Sequence, residues 1–328
     1  MTHATRSSRL PLRLRLFTAL QREPDWSAMS PEELAEYSDA RNRAVASPPA
    51  RLLTGLPDRA ATIDWQRTDL PDRSLPVRVY RRSPRRGDPE TDLPLVLHVH
   101  GGGSTGTAVQ CDWLNGHIAA RLPAVVVSVE HRLVAPDVPI SAAVDDGWDA
   151  LRHVVHNAAS RRIDPSRTAV VGESAGALIA ALLTVRARAS RLPLRSQVLV
   201  NPCVDLTSRA FDHRSMTEFA DSPTLTVEQI EYFIRLAAPP GADARALSPL
   251  HADDLGGLPP ALVVVPVLAP LADHGRAYAD RLREAGTPAR VSEHPRAGHA
   301  FISTPGLVPE AKAARARITE FLRDRLAD

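Results

Sequence analysis

The chain has 328 residues, enough for one large α/β domain or two smaller ones. Hydrophobic residues make up 44% and charged residues 24%, a balance that fits a globular enzyme and excludes a disordered or fibrous chain. Forty Lys+Arg against 38 Asp+Glu leave a formal charge of +2, too weak a global field to point to nucleic acid or a membrane surface as partner.

The first 16 residues are basic, with Arg6, Arg9, Arg13 and Arg15 set among leucines. No uninterrupted apolar run of signal-peptide length follows and no small-residue cleavage site appears, so an amphipathic N-terminus and a cytoplasmic location are expected. No stretch approaches the roughly 18 to 20 apolar residues of a membrane span. Residues 1–60 read as a helical segment. Ser30-Pro31-Glu32-Glu33 forms a capping box with proline at the first helical position, opening an amphipathic helix towards Ala46 that Pro48 and Pro49 end. From Ala61 to Arg82 short strands take over, the clearest being Val77 to Tyr80. Arg81 to Pro89 is a polar, proline-containing loop.

Apolar runs then alternate with helical stretches. The runs are Leu95 to Val99, Ala124 to Val129, Thr168 to Val171, Val198 to Val200 and Ala261 to Val265. The helical stretches are Trp113 to Leu122, Ala142 to Ala158, Ala175 to Ala189 and Gly275 to Ala285. Such runs suit parallel strands buried on both faces. A last strand near Arg290 to Glu293 and a last helix from Pro309 to Arg325 complete a mostly parallel, eight-stranded α/β fold over residues 61–328. Residues 205–257 break the rhythm. They hold no clear strand but do hold a helix opened by Thr226-x-x-Gln229, with Ile230, Phe233 and Ile234 on one face. With residues 1–60, this insertion is expected to form a helical cap over the strand ends.

Two glycine motifs carry the chemistry. Gly172-Glu173-Ser174-Ala175-Gly176 has the G-x-S-x-G form that holds a serine on a tight strand-to-helix turn. His100-Gly101-Gly102-Gly103 leaves another buried strand, and its glycines let backbone N–H groups approach a substrate oxygen. The expected oxyanion donors are the N–H groups of Gly102, Gly103 and Ala175. His299, in Gly298-His299-Ala300-Phe301 after the last strand, stands where this chain order puts the base. His294 lies within the strand and is less well placed, and His100 reads as a brace for its loop. Cys111 and Cys203 have no disulfide framework or metal-ligand spacing and read as reduced thiols. No metal or cofactor motif is visible; Gly101-Gly102-Gly103 lacks the spacing of a dinucleotide or phosphate loop.

From about Pro76 onward these residues resemble the hormone-sensitive-lipase-like family of α/β-hydrolases, which includes bacterial carboxylesterases. The glycine loop, Ser174 in its elbow and Gly298-His299-Ala300-Phe301 match the family. So do Leu258-Pro259-Pro260-Ala261-Leu262 and His131-Arg132-Leu133-Val134-Ala135-Pro136, the latter close to Tyr-Arg-Leu-Ala-Pro with one insertion. The resemblance implies the α/β-hydrolase fold, a helical cap, ester substrates, and nucleophile and base at Ser174 and His299. It leaves a homodimer through an edge strand open.

The departures matter as much. Where the family carries Asp-Pro-Leu-Arg-Asp-Glu-Gly, whose first aspartate orients the histidine, this chain has Ala269-Pro270-Leu271-Ala272-Asp273-His274-Gly275. Ser104 replaces an aromatic residue, and Ala177 replaces a third elbow glycine. In a serine protease, losing the acid's function lowers turnover about 10⁴-fold. Asp273 one turn on, Asp205 after the sixth strand, or no acid at all are the three outcomes left open. Asp273 also suits a helix-start charge and Asp205 a turn.

Three functional readings follow. The first is a serine hydrolase of carboxylic esters, impaired or specialised, acting on a small apolar ester. The second is a lyase or cyclase that uses His299 and the oxyanion donors on a carbonyl compound. The third is a binding protein on a hydrolase scaffold. Leu225, Tyr232 and Phe233 are candidates for an apolar pocket, although core packing explains them equally.

Overall fold

The computed structural model describes residues 10–21, 24–84 and 91–327. Arg6, Arg9 and most of the polar loop ending at Pro89 lie outside the described residues. Three helices come first: α1 (Leu12–Leu20), α2 (Pro31–Ala46) and α3 (Arg51–Thr54). α2 begins as its sequence dictates. The Ser30 side chain accepts from the Glu33 N–H, and the Glu33 carboxylate accepts from the Ser30 N–H at 2.8 Å.

The strands follow as β1 (Ala61–Asp69), β2 (Ser74–Arg82) and β3 (Leu93–Val99), then α4 (Asp112–Arg121), β4 (Val125–Val129) and α5 (Ile140–His156). Next come β5 (Ile163–Glu173), α6 (Ala175–Ala189) and β6 (Ser196–Val200). Two helices, α7 (Arg214–Glu218) and α8 (Val227–Ala237), fill the segment before β7 (Ala261–Pro266). The chain closes with α9 (Ala272–Glu284), β8 (Ala289–His294) and α10 (Glu310–Leu326). The sheet order is β1-β2-β4-β3-β5-β6-β7-β8, antiparallel at β1/β2 and β2/β4 and parallel elsewhere.

Alternate residues of each central strand feed opposite layers. Leu95, Leu97 and Val99 of β3 join a core with Leu151 of α5 and Ile179 of α6. Val96 of the same strand joins Ile118 of α4 and Phe321 of α10 on the other face. Both faces are apolar because helices cover both, which is why these strands read as continuous apolar runs.

Some boundaries differ from the sequence expectation for physical reasons. β5 starts at Ile163, ahead of the apolar run, because Ile163 and Asp164 pair with Leu93 and Pro94 of β3; residues 165–167 bulge out before pairing resumes at Thr168 opposite Leu95. β6 starts at Ser196, where Ser196 and Gln197 are fully buried polar residues; the Gln197 amide donates to the Pro259 carbonyl at 3.0 Å. The short helix α7 was not anticipated. In α8 Tyr232 is buried beside Ile230, while Phe233 and Ile234 are only half-buried, because the Trp26 ring packs edge-on against Tyr232. Among the described residues no helix is long and apolar enough to cross a membrane.

The N-terminal helices are tied to the sheet through one buried carboxylate. Asp112, at the start of α4, is fully buried and accepts from Arg51 (2.6 Å), from Arg78 (2.7 and 2.9 Å) and from the Tyr80 hydroxyl (2.8 Å). Replacing it by a neutral amide leaves two guanidiniums facing each other without their counter-charge. Asp112→Asn is therefore expected to lower unfolding stability by about 3 kcal/mol, read as a reduced urea midpoint at unchanged slope.

Candidate active site

Ser174 is the single residue between β5 and α6. It is held at φ 54° and ψ −117°, a left-handed conformation that is strained for a residue with a side chain. Its N–H donates to the Val200 carbonyl at the end of β6 at 2.9 Å. The flanking glycines are required by close backbone approach. A Cβ on Gly172 would stand 2.2 Å from the Gly176 carbonyl oxygen. One on Gly176 would stand 2.3 Å and 2.4 Å from the carbonyl oxygens of Val99 and His100.

The glycine loop leaves β3 directly beside this turn. Gly102 and Gly103 have φ of 122° and 61°, and a Cβ on Gly101 would meet the Glu173 carbonyl oxygen at 2.8 Å. The loop is braced on several sides. Thr105 N–H donates to the Gly102 carbonyl, Val134 N–H to that of Gly103, and Gly106 N–H to the Asn42 side chain of α2. His100 stacks on His131 with ring centroids 4.1 Å apart, and His131 Nε2 bonds the His100 carbonyl at 3.2 Å. Asp146, fully buried in α5, fixes the next residue by accepting from the Arg132 backbone and guanidinium. His100 is thus a brace, as its sequence context implies. Among the described residues the N–H groups of Gly102, Gly103 and Ala175 have no protein acceptor.

His299 follows β8 and is brought to Ser174, with Nε2 and Oγ 2.8 Å apart. Thr224, in the loop before α8, accepts the His299 N–H at 3.0 Å, and the next residue, Ala300, turns the chain at φ 57°. Among the described residues no carboxylate bonds the ring. Nδ1 is buried and has no hydrogen-bond partner among the described residues. Burial alone holds the His299 imidazole down at about 4, from an ordinary 6.5, and no charge adds to that effect.

Neither substitute acid reaches it. Asp273 accepts from the Ser215 N–H at 2.9 Å and pairs with Arg276 at 2.7 Å, serving the start of α9. Asp205, almost fully buried, accepts from the backbone and hydroxyl of Thr207 and binds His251 Nε2 at 2.8 Å. Ala269 is itself buried. His294 bonds the Ser292 hydroxyl at 3.2 Å.

Three neighbours escaped the sequence reading. Asn201, the residue after β6, is almost fully buried at φ 39°, and its amide nitrogen lies 3.4 Å from His299 Nε2. Its position at a strand's carboxyl end is the only sequence signal for it. Glu173, the variable residue of the elbow, accepts from the Ser303 hydroxyl at 2.6 Å, which ties the elbow to the turn after His299. Burial pushes the Glu173 carboxyl up to about 7, partly offset by that hydrogen bond. Thr224 is the third; nothing in its local sequence marks it.

The site thus brings together a serine on a strained turn, a histidine in hydrogen-bond contact and, among the described residues, backbone N–H groups without a protein acceptor. A family pattern described as the α/β hydrolase fold matches residues 96–303. The chain is 38% identical to carboxylesterase NlhH of Mycobacterium tuberculosis over 291 residues, 86% of either chain. It is 31% identical to the ethyl acetate hydrolase of Pseudomonas putida over 302 residues, 90% of this chain and 92% of that one. It superposes on ester-hydrolase EH1AB1 from the metagenome of Lake Arreo with a TM-score of 0.84 at 29% identity, covering 96% and 98% of the two chains. The chain belongs to the α/β-hydrolase family, in its hormone-sensitive-lipase-like carboxylesterase branch, and is an enzyme of that type.

A general base works deprotonated, so a depressed pKa moves the acid limb of the pH–rate profile downward. With His299 near 4, kcat/KM for an ester is expected to stay flat from about pH 8 to about pH 5 and fall only below that. Ala269→Asp, which restores the acid of the family pattern, is expected to shift the limb upward. An inflection between about pH 6 and 7 in the unmodified enzyme would contradict the uncompensated site.

Proposed function

We propose that the protein hydrolyses carboxylic esters with a Ser174–His299 dyad and no carboxylate behind it. The observation that carries this reading is the 2.8 Å contact between Ser174 Oγ and His299 Nε2, beside backbone N–H groups with no protein acceptor. The carboxylesterase relatives support ester cleavage as the reaction.

Ser174 Oγ attacks the acyl carbon as its proton passes to His299 Nε2. The carbonyl oxygen, now an oxyanion, is received by the N–H groups of Gly102, Gly103 and Ala175. His299 returns the proton to the departing alkoxide, leaving an acyl group on Ser174. Water then gives a proton to Nε2 and attacks the acyl carbon, and Ser174 departs with that proton as the acid is released. The imidazolium formed twice in this cycle has no counter-ion, so the oxyanion donors supply most of the electrostatic stabilisation.

The N-terminal helices and the 205–257 insertion serve as the cap in this reading. Asn42 of α2 holds the glycine loop through Gly106, and a Cβ on Gly103 would lie 2.8 Å from the Phe233 ring of α8. Leu10 packs against Gly298, beside the base. These contacts support an apolar, short substrate between cap and sheet.

The unpartnered Nδ1 favours one alternative, in which His299 abstracts a proton next to a carbonyl and Ser174 forms no acyl intermediate. The two readings part on a single substitution. Ser174→Ala is expected to lower p-nitrophenyl butyrate hydrolysis on the order of 10³-fold. Hydrolysis by the unmodified protein no faster than by Ser174→Ala would overturn the esterase reading. A carbonyl-elimination activity that survives Ser174→Ala but not His299→Ala would establish the alternative.

A further inference from the structure

Beyond the dyad, we propose that Asn201 is a positioning residue that holds His299 in the tautomer with a free lone pair on Nε2. In complete triads a carboxylate does this from the Nδ1 side. The proposal rests on the dyad reading for its catalytic consequence, but the tautomer itself is a property of the resting protein.

A neutral imidazole carries one proton, and only the Nδ1–H form can accept the Ser174 proton at Nε2. The Nδ1 side sets no preference here, because that atom is buried without a partner. The choice therefore falls to what faces Nε2. Two groups do: the Ser174 hydroxyl at 2.8 Å and the Asn201 amide nitrogen at 3.4 Å. An amide NH₂ only donates, so it is matched by a lone pair and opposed by an N–H. In the Nδ1–H tautomer the single Nε2 lone pair faces both donors, the serine hydroxyl closely and the amide as a longer, weaker second donor. In the other tautomer the imidazole N–H faces the amide N–H, donor against donor, and the serine loses its acceptor.

The backbone places Asn201 for this task. Its N–H donates to the Val264 carbonyl of β7 at 2.8 Å, and the carbonyl of the residue before it, Val200, holds the Ser174 N–H. One strand end thus fixes both the nucleophile and the group facing the base. Asparagine is among the few side-chain-bearing residues that adopt a positive φ readily, which fits its φ of 39°. Among the described residues its Oδ1 is buried with no partner, and the amide's polar contact is with His299.

The test is ¹⁵N NMR of histidine-labelled protein, with the His299 ring signals assigned by their loss in His299→Gln. The unmodified protein is expected to show an unprotonated Nε2 and a protonated Nδ1. Asn201→Gly keeps the backbone conformation and removes the amide; the ring signals should move towards a tautomer mixture, with kcat/KM lower by roughly three- to tenfold and KM little changed. Asn201→Asp keeps the shape but presents only acceptors, so Nε2 should become protonated and the rate should fall further than in Asn201→Gly. A protonated Nε2 in the unmodified protein, or a tautomer unchanged in both variants, would overturn the proposal. A serine-directed fluorophosphonate separates this from failure of the dyad reading. Labelling at Ser174 with the wrong tautomer rejects the role of Asn201 alone. The expected tautomer without ester turnover rejects the esterase reading and leaves Asn201 in place.

Discussion

The site depends on one close approach, the first turn of α6 pressed against the carboxyl end of β3. Gly176 lies where any side chain would collide with the Val99 and His100 carbonyl oxygens, and Gly172 is crowded in turn by Gly176. Only with both glycines in place can Ser174 occupy its strained turn. The same approach sets the start of α6 beside the glycine loop that begins at His100, so the proposed nucleophile and both halves of the proposed oxyanion pocket come from one contact. Strain at Ser174 is sustained by its surroundings: β6 binds its N–H and the α6 helix bonds its carbonyl through Ala177 and Leu178.

Burial dominates the electrostatics around that contact. The groups behind the elbow and loop are buried and close to neutral. His98, His100 and His131 are all held well below the ordinary imidazole value, chiefly by burial. Glu173 is pushed towards protonation by the same cause. His299 shares this environment and lacks the carboxylate that would oppose it. In the proposed mechanism His299 would be a weak base, deprotonated over a wide pH range. Brønsted behaviour would make it less effective at driving proton transfer, so the proposed chemistry would lean on fixed backbone dipoles and favour esters with good leaving groups.

Much of this was legible from sequence, and the reasons are specific. The elbow and glycine loop are visible because backbone crowding admits only glycine at defined spacings. The capping boxes at Ser30 and Thr226 are visible because local side-chain-to-backbone bonds need only neighbouring residues, and both form as expected. The alanine at the position where the resembling family carries its acid is legible as Ala269, but its consequence is not. Whether Asp205 or Asp273 compensates depends on long-range partners, and each is held elsewhere, by Thr207 and His251 or by Ser215 and Arg276. Asn201, Thr224 and Asn42 were missed for the same reason. Their roles are single hydrogen bonds across 64, 75 and 98 residues of sequence, and no local periodicity encodes such a bond.

If Ser174 carries the acyl group with His299 as its unassisted base, the acyl-enzyme can be caught. Mass spectrometry of protein quenched in acid during turnover of p-nitrophenyl acetate should find an acetyl group on the peptide that carries Ser174, absent from Ser174→Ala and lost again as the ester is exhausted. Turnover of the ester with no acylated peptide, or with the acetyl group on another residue, would contradict that role for Ser174.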